Sequence, residues 1–166
     1  MTGPYELIYL LYSVHGLTDL LIGRILRNFN TTHLREIADA GLPLPSVNQC
    51  SFSPMHGPHT VGCTPGSATE TCAELMAYCK ANKIVYNGYA PYGGSGGAGK
   101  LLSDPRIAKI AAAHRTGTAQ VVLKWQWQLG VPVNPEARSL QYQKENLEFF
   151  NFTLSAAEMY FLSNYK

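Results

Sequence analysis

The chain is short of charge. Asp, Glu, Lys and Arg together make up 14% of its 166 residues, and the formal net charge is +2. Lys and Arg are scattered rather than clustered, so no field builds that would recruit nucleic acid as the main partner. Cysteine is sparse as well. Cys50, Cys63, Cys72 and Cys79 are too few to staple a fold of this length, and reduced thiols in a reducing compartment are the expectation. Long hydrophobic runs are missing. The stretch from Leu7 to Val14 falls far short of the ~20 apolar residues a membrane span needs, and no basic segment precedes it, which argues against a secretory leader. A soluble protein of the cytoplasm or an organelle interior is expected.

What is present is enough apolar material, 46% of residues, for one domain with a real core. ELIYLLY (6–12), SVNQCSF (46–52), IVYNGYAP (84–91) and VPVNP (131–135) read as strands, whereas GLTDLLIGRILRNF is ambiguous. Helices are expected from Asn30 or Thr31 to Ala40, from Thr69 to Asn82, after a Ser103 cap, from Thr118, and over SLQYQKENLEFF and SAAEMYFLSNY. Strand and helix alternate with short connections, which gives α/β with four or five parallel strands. In AQVVLKWQWQLG, Trp125 and Trp127 stand about 200° apart on a helix, so one of them faces away from the core.

GGSGGAGKLLSDP (93–105) contains the spacing G-x-x-x-x-G-K of a phosphate loop. Leu101 stands where Ser or Thr would hold magnesium, and no helix is expected to start at Lys100, so a flexible glycine loop is the better reading. His56, His59, Cys63 and Cys72 have the side-chain types of a zinc site, but their spacing closes no known motif. No metal is expected there.

From Asn28 onward the chain resembles the C-terminal half of the aldo-keto reductases, NADP-dependent (β/α)8 barrels that reduce carbonyls. The resemblance rests on NFNTTHLREIADAGLPLPSVNQCSFSP, ELMAYCKANKIVYNGYAPYG, LLSDPRIAKIAAAHRTGTAQVVLKWQWQLGVPVNP and KENLEFFNFTLSAAEM, in the family's order over roughly 28–162. It implies a partial (β/α)8 barrel over 28–166, divergent and truncated, behind a divergent segment 1–27 that holds a remnant of the fourth strand. The glycine loop becomes the one that folds over the cofactor pyrophosphate.

The family's acid–base residues belong to the other half. Tyr12 falls at the usual catalytic His, and no catalytic residue is expected in this chain. The resemblance implies cofactor contacts at Asn28, Gln49, Tyr89, Glu145 and Asn146. It also exposes departures: Arg27 for a Ser, Ala90 for a Ser, Glu136 for the Lys at the 2′-phosphate, and Tyr142 for an Arg. A carboxylate beside a phosphate repels it, so the expectation is no cofactor, or NADP if the family function is kept. The leading expectation is a catalytically inactive accessory subunit, its open half-barrel covered by other protein chains or by self-association. The alternatives are a fragment or isoform of an NADP(H)-dependent reductase, or a nucleotide-sensing module.

Overall fold

The structure is a computed structural model and describes residues 24–61, 63–64, 68–94 and 96–166. The expected strand over 6–12, Tyr12 and most of the divergent segment lie outside the described residues. Four strands, β1 (Ile25–Arg27), β2 (Val47–Ser51), β3 (Val85–Tyr89) and β4 (Val133–Asn134), form one sheet in the order β1-β2-β3-β4. Every pairing is parallel. Helix α1 (Thr31–Asp39) connects β1 to β2, and α2 (Cys72–Ala81) connects β2 to β3. Between β3 and β4 lie α3 (Gly97–Leu102), α4 (Pro105–Ala113) and α5 (Thr118–Gln128). After β4 come α6 (Leu140–Leu147), a 3-10 turn (Glu148–Asn151) and α7 (Ala156–Ser163). A parallel sheet in chain order with helices as crossovers is the partial (β/α)8 barrel that the sequence implied.

Local chemistry sets the helix starts. Asn30, Thr71 and Ser155 each accept from a backbone N–H of the first turn, and His33, Glu74 and Glu158 answer back to the cap. The structure corrects two expected starts. Helix α2 begins at Cys72 rather than Thr69, because Thr71 is the cap. Helix α4 is capped by Asp104 rather than Ser103: the Asp104 carboxylate accepts from Arg106 N at 2.7 Å, and Pro105 fills the first helical position. Ser103 instead donates to Gly99 O within α3. A third difference lies in the last helical stretch but one, where SLQYQKENLEFF breaks into α6 and the 3-10 turn.

The sheet buries one face. In β2 and β3 the buried residues are Asn48, Cys50, Tyr86 and Gly88, and they stand level across the ladder. They face a core whose centre is a stack of Phe52 on Trp125, with centroids 5.1 Å apart and planes within 6°. Trp125 is fully buried while Trp127 is 45% exposed, so the two-residue separation on α5 does split them as expected. Buried Asn48 exchanges hydrogen bonds with both main-chain groups of Phe29, which fixes the turn after β1 against β2. Gly88 is needed for packing: a Cβ there would come within 3.0 Å of Gln126 Oε1 and 3.1 Å of Val131. Among the described residues, no helix is long and apolar enough to cross a membrane.

Candidate functional site

The C-terminal ends of the strands form one rim, the edge where barrels of this topology do their chemistry. The first three strands each deliver a polar side chain to it, at Asn28, Gln49 and Tyr89. Asn28 follows β1 in a left-handed conformation (φ 61°), which asparagine tolerates better than most residues. Its N–H donates to Gln49 O at 2.9 Å. From β3, the Tyr89 hydroxyl donates to Asn28 Oδ1 at 3.2 Å, and the Arg27 guanidinium lies over the Tyr89 ring, 4.3 Å from its centre. Gln49 Nε2 donates to Asn87 Oδ1 at 2.9 Å, and Asn87 Nδ2 donates to Pro132 O. Asn28, Gln49 and Tyr89, far apart in sequence, therefore meet at one end of the rim.

Glu145 and Asn146 sit apart from that cluster, on α6. Asn146 Oδ1 accepts from the Tyr92 hydroxyl at 3.3 Å, and burial pushes the Tyr92 phenol well up from its ordinary range. Gln120 Nε2, from α5, donates to Glu145 O at 2.8 Å, and Gln141 reaches the Glu145 carboxylate at 2.8 Å. The contacts give two polar stations: carboxamides and a phenol at β1–β3, and Tyr92, just after β3, with Asn146 and Glu145 on the helix after β4. Just beyond β4, Glu136 forms an ion pair with Arg138 at 2.7 Å, both strongly exposed.

The glycine segment is not the open loop that was expected. Gly96, at φ 83°, turns the chain into α3, which contains Lys100 in its last turn and buries Leu101. Lys100 is exposed and ends a helix rather than starting one, so the phosphate-loop geometry is missing.

The four residues weighed for zinc part company. Cys63 and Cys72 are buried, whereas His56 and His59 are exposed. Among the described residues, no three His, Cys, Asp or Glu side chains are placed to hold a metal ion. The two thiols interact with each other: donation from Cys72 lowers the Cys63 thiol below its usual value and raises that of Cys72. Burial raises the Cys79 thiol to about 11.

Several rim residues had no signal of their own in the sequence. Asn87 and Tyr92 gain their roles only through partners on other strands and helices. Arg138 could have been found from its place two residues after Glu136.

Sheet order and crossovers together define the class: part of a (β/α)8 barrel. No family model matches the chain. Among curated proteins it is 33% identical over 132 residues to an aldo-keto reductase of Mycolicibacterium vanbaalenii, covering 80% of this chain and 41% of the relative. It is 30% identical over 146 residues to aldo-keto reductase family 1 member A1-A of Danio rerio, covering 84% of this chain and 41% of the relative.

Solved structures agree. An aldo-keto reductase, MGS-M4, from a deep-sea metagenome library superposes with a TM-score of 0.71 at 26% identity, over 87% of this chain and 49% of that one. A Gox0644 variant in complex with NADPH gives 0.66 at 32% identity, over 82% of this chain and 44% of that one. The chain is a divergent aldo-keto-reductase-family sequence over about four fifths of its length. It spans about two fifths of the length of the curated relatives it matches.

The rim can be tested against NADPH, the dinucleotide held by the Gox0644 variant. The carboxamides of Asn28, Gln49 and Asn87 offer both donors and acceptors, and the Tyr89 ring offers a stacking face, which suits a nicotinamide. Arg138 offers a planar cation for a phosphate, while Glu136 opposes it with equal charge. The donor set fits the nicotinamide end well, and the 2′-phosphate end only with Arg138 turned away from Glu136.

Proposed function

We propose that this chain forms the dinucleotide-facing part of an aldo-keto-reductase-type barrel and takes part in NADP(H)-dependent carbonyl reduction when further strands close the barrel. The observation that carries this reading is the meeting of Asn28, Gln49 and Tyr89 at the C-terminal rim of a parallel four-stranded sheet. When bound, the dinucleotide supplies the hydride. The chain's own residues bind and orient: Asn28 and Gln49 hold a carboxamide, Tyr89 covers a ring face, and Arg138 meets a phosphate. The proton donor for a carbonyl comes from elsewhere, since the Tyr89 hydroxyl is already engaged by Asn28. The test is a thermal melt of the purified chain with and without saturating NADPH. A dinucleotide at a hundred times its Kd stabilises by about 2.7 kcal/mol, which raises the melting temperature by several degrees. Equal melts contradict the reading.

A specific observation favours a second reading, an accessory subunit without catalysis. The rim is satisfied within itself: Arg27 occupies one face of Tyr89, Tyr89 occupies Asn28, and Asn87 occupies Gln49. On this reading the rim is a packed seam inside a larger assembly. A native mass spectrum of the protein from its source tests it. Foreign chains without a dinucleotide support the accessory role, and bound NADP or NAD contradicts it.

A further inference from the structure

The described sheet leaves one of its faces and two of its edges without partners among the described residues. Ile25, Val47 and Val85 stand level across β1, β2 and β3, so they point to the same side. Ile25 is 67% exposed and Val85 46%. This apolar row lies on the side away from the helices, where a closed barrel would stack its side chains in layers. Above it the next level, Arg27, Gln49 and Asn87, is polar. Such a row, with β1 and β4 each paired on one side only, needs a second sheet to cover it.

We propose that the cover is a second copy of this chain, two copies pairing β1 to β4 about a two-fold axis into an eight-stranded parallel barrel. Strand count and direction fit, because four parallel strands in chain order meet four more head to tail without reversal. The register fits as well. Gly88 is level with Val133, so the level of Arg27 passes through Gln49 and Asn87 to Pro132. A (β/α)8 barrel accumulates a stagger of about eight residues around its girth, hence about four for each identical half. Right-handed strand tilt and right-handed crossovers direct that stagger so that Arg27 of one copy comes level with Glu136 of the other. Opposite charges then meet at both seams.

The backbone is in phase with this pairing. Pro132 O accepts from Gly88 N on the β3 side at 2.9 Å, so the carbonyls of Val133 and Pro135, at alternate positions, face the open edge. Asn28 N donates to Gln49 on the β2 side, so the Arg27 N–H faces the other open edge. A parallel ladder with Arg27 opposite Glu136 joins the Arg27 N–H to Pro135 O. Pro135 contributes no N–H, which leaves this seam one bond short and more dependent on the charges. Those charges are at hand: Glu136 is held by Arg138 and Arg27 by the Tyr89 ring, both exposed contacts that exchange at little cost. Closure is separate from dinucleotide binding. A barrel made of two copies carries the Asn28–Gln49–Tyr89 rim twice, and the reductase reading requires one copy to be exchanged for a half that carries acid–base groups.

The test is the solution mass of the full chain by light scattering, together with two seam variants. The proposal predicts twice the chain mass of 18.2 kDa. Arg27→Glu should weaken the dimer roughly thirtyfold, since two seam pairs become repulsive, and Arg27→Glu with Glu136→Arg should restore it. Far-UV circular dichroism separates weakened association from misfolding. Independently, Arg27→Cys with Glu136→Cys should give a covalent dimer on a non-reducing gel. Within one copy these positions lie on opposite edges of the sheet, three strand spacings (roughly 14 Å) across and four residues further along, beyond disulfide reach. A monomeric chain overturns the proposal. So does a dimer that ignores the charge reversal and gives no cross-link, which would place the contact on another face such as Trp127 and Phe150.

Discussion

Replacing Arg27 with Ser should tighten dinucleotide binding. Arg27 covers the Tyr89 ring at 4.3 Å, and the pair lies at the exposed rim. An exposed cation–π contact of this kind is worth about 0.5–1 kcal/mol. The ring is therefore uncovered in only about 15–30% of molecules, and a ligand that stacks there binds more weakly by that fraction. Removing the guanidinium should lower the Kd for NADPH roughly three- to sixfold, and cost the fold no more than the contact it loses. The assay is a calorimetric titration of wild type and Arg27→Ser, both at a concentration where their masses agree, because Arg27 also lies at the proposed seam. Tyr89→Leu supplies the control: the gain from Arg27→Ser should vanish in the double variant. Unchanged or weaker binding by Arg27→Ser, with the fold intact, would refute the idea that Tyr89 is a stacking face held shut by Arg27.

Other consequences follow from single residues. Glu136→Lys frees Arg138 and puts two cations where the structure has a neutral pair, so NADP should gain about tenfold over NAD in comparative titrations. Asp104 caps α4, pairs with Arg106 at 2.7 Å and accepts from the Tyr165 hydroxyl at 2.7 Å. Asp104→Ala should cost about 1–2 kcal/mol, roughly 3–6 °C in a thermal melt. The Arg106 guanidinium, with help from Tyr165, holds the Asp104 carboxyl well below its ordinary range, so it binds its proton more weakly folded than unfolded. Its contribution is present at neutral pH and fades as pH falls below about 4 toward the folded value, and a melt series from pH 6 to pH 2 should show wild type and Asp104→Ala converging. Ala90 sits at φ 51°, a conformation that Gly adopts freely. Ala90→Gly should therefore raise stability by about 1 kcal/mol, read from the urea midpoint.

How much of this was legible in the sequence depends on how local the determinant was. The cap of α1 was legible as one of two neighbours, Asn30 or Thr31, because a cap acts within one turn. The start of α4 was misplaced by one residue, since Ser103 and Asp104 are both good caps and only Pro105 at the first helical position decides between them. Strand β1 was hidden in GLTDLLIGRILRNF, where three residues are too few to show a period and only pairing with Val47–Gln49 defines them. Helix α3 escaped notice because Gly97 and Gly99 weaken its propensity; it is held by the burial of Leu101.

The site divides in the same way. The resemblance named Asn28, Gln49 and Tyr89, and the structure brings them together. That Arg27 lies on Tyr89, and that Asn87 and Tyr92 complete the two stations, depends on contacts between strands and helices distant in sequence. That His56 and His59 are exposed while Cys63 and Cys72 are buried likewise comes from how the loop folds, which spacing alone does not encode.

The central claim is that this chain carries the dinucleotide-facing part of a reductase barrel. Its most direct test is to mix the purified chain with a half-barrel cut from a catalytically active aldo-keto reductase, one bearing that enzyme's acid–base residues, and follow NADPH consumption with an aldehyde. The account predicts a rate well above either half alone, lost when Tyr89 is replaced by Leu. A one-to-one complex, proved by its mass, that turns over no faster than its parts would contradict it.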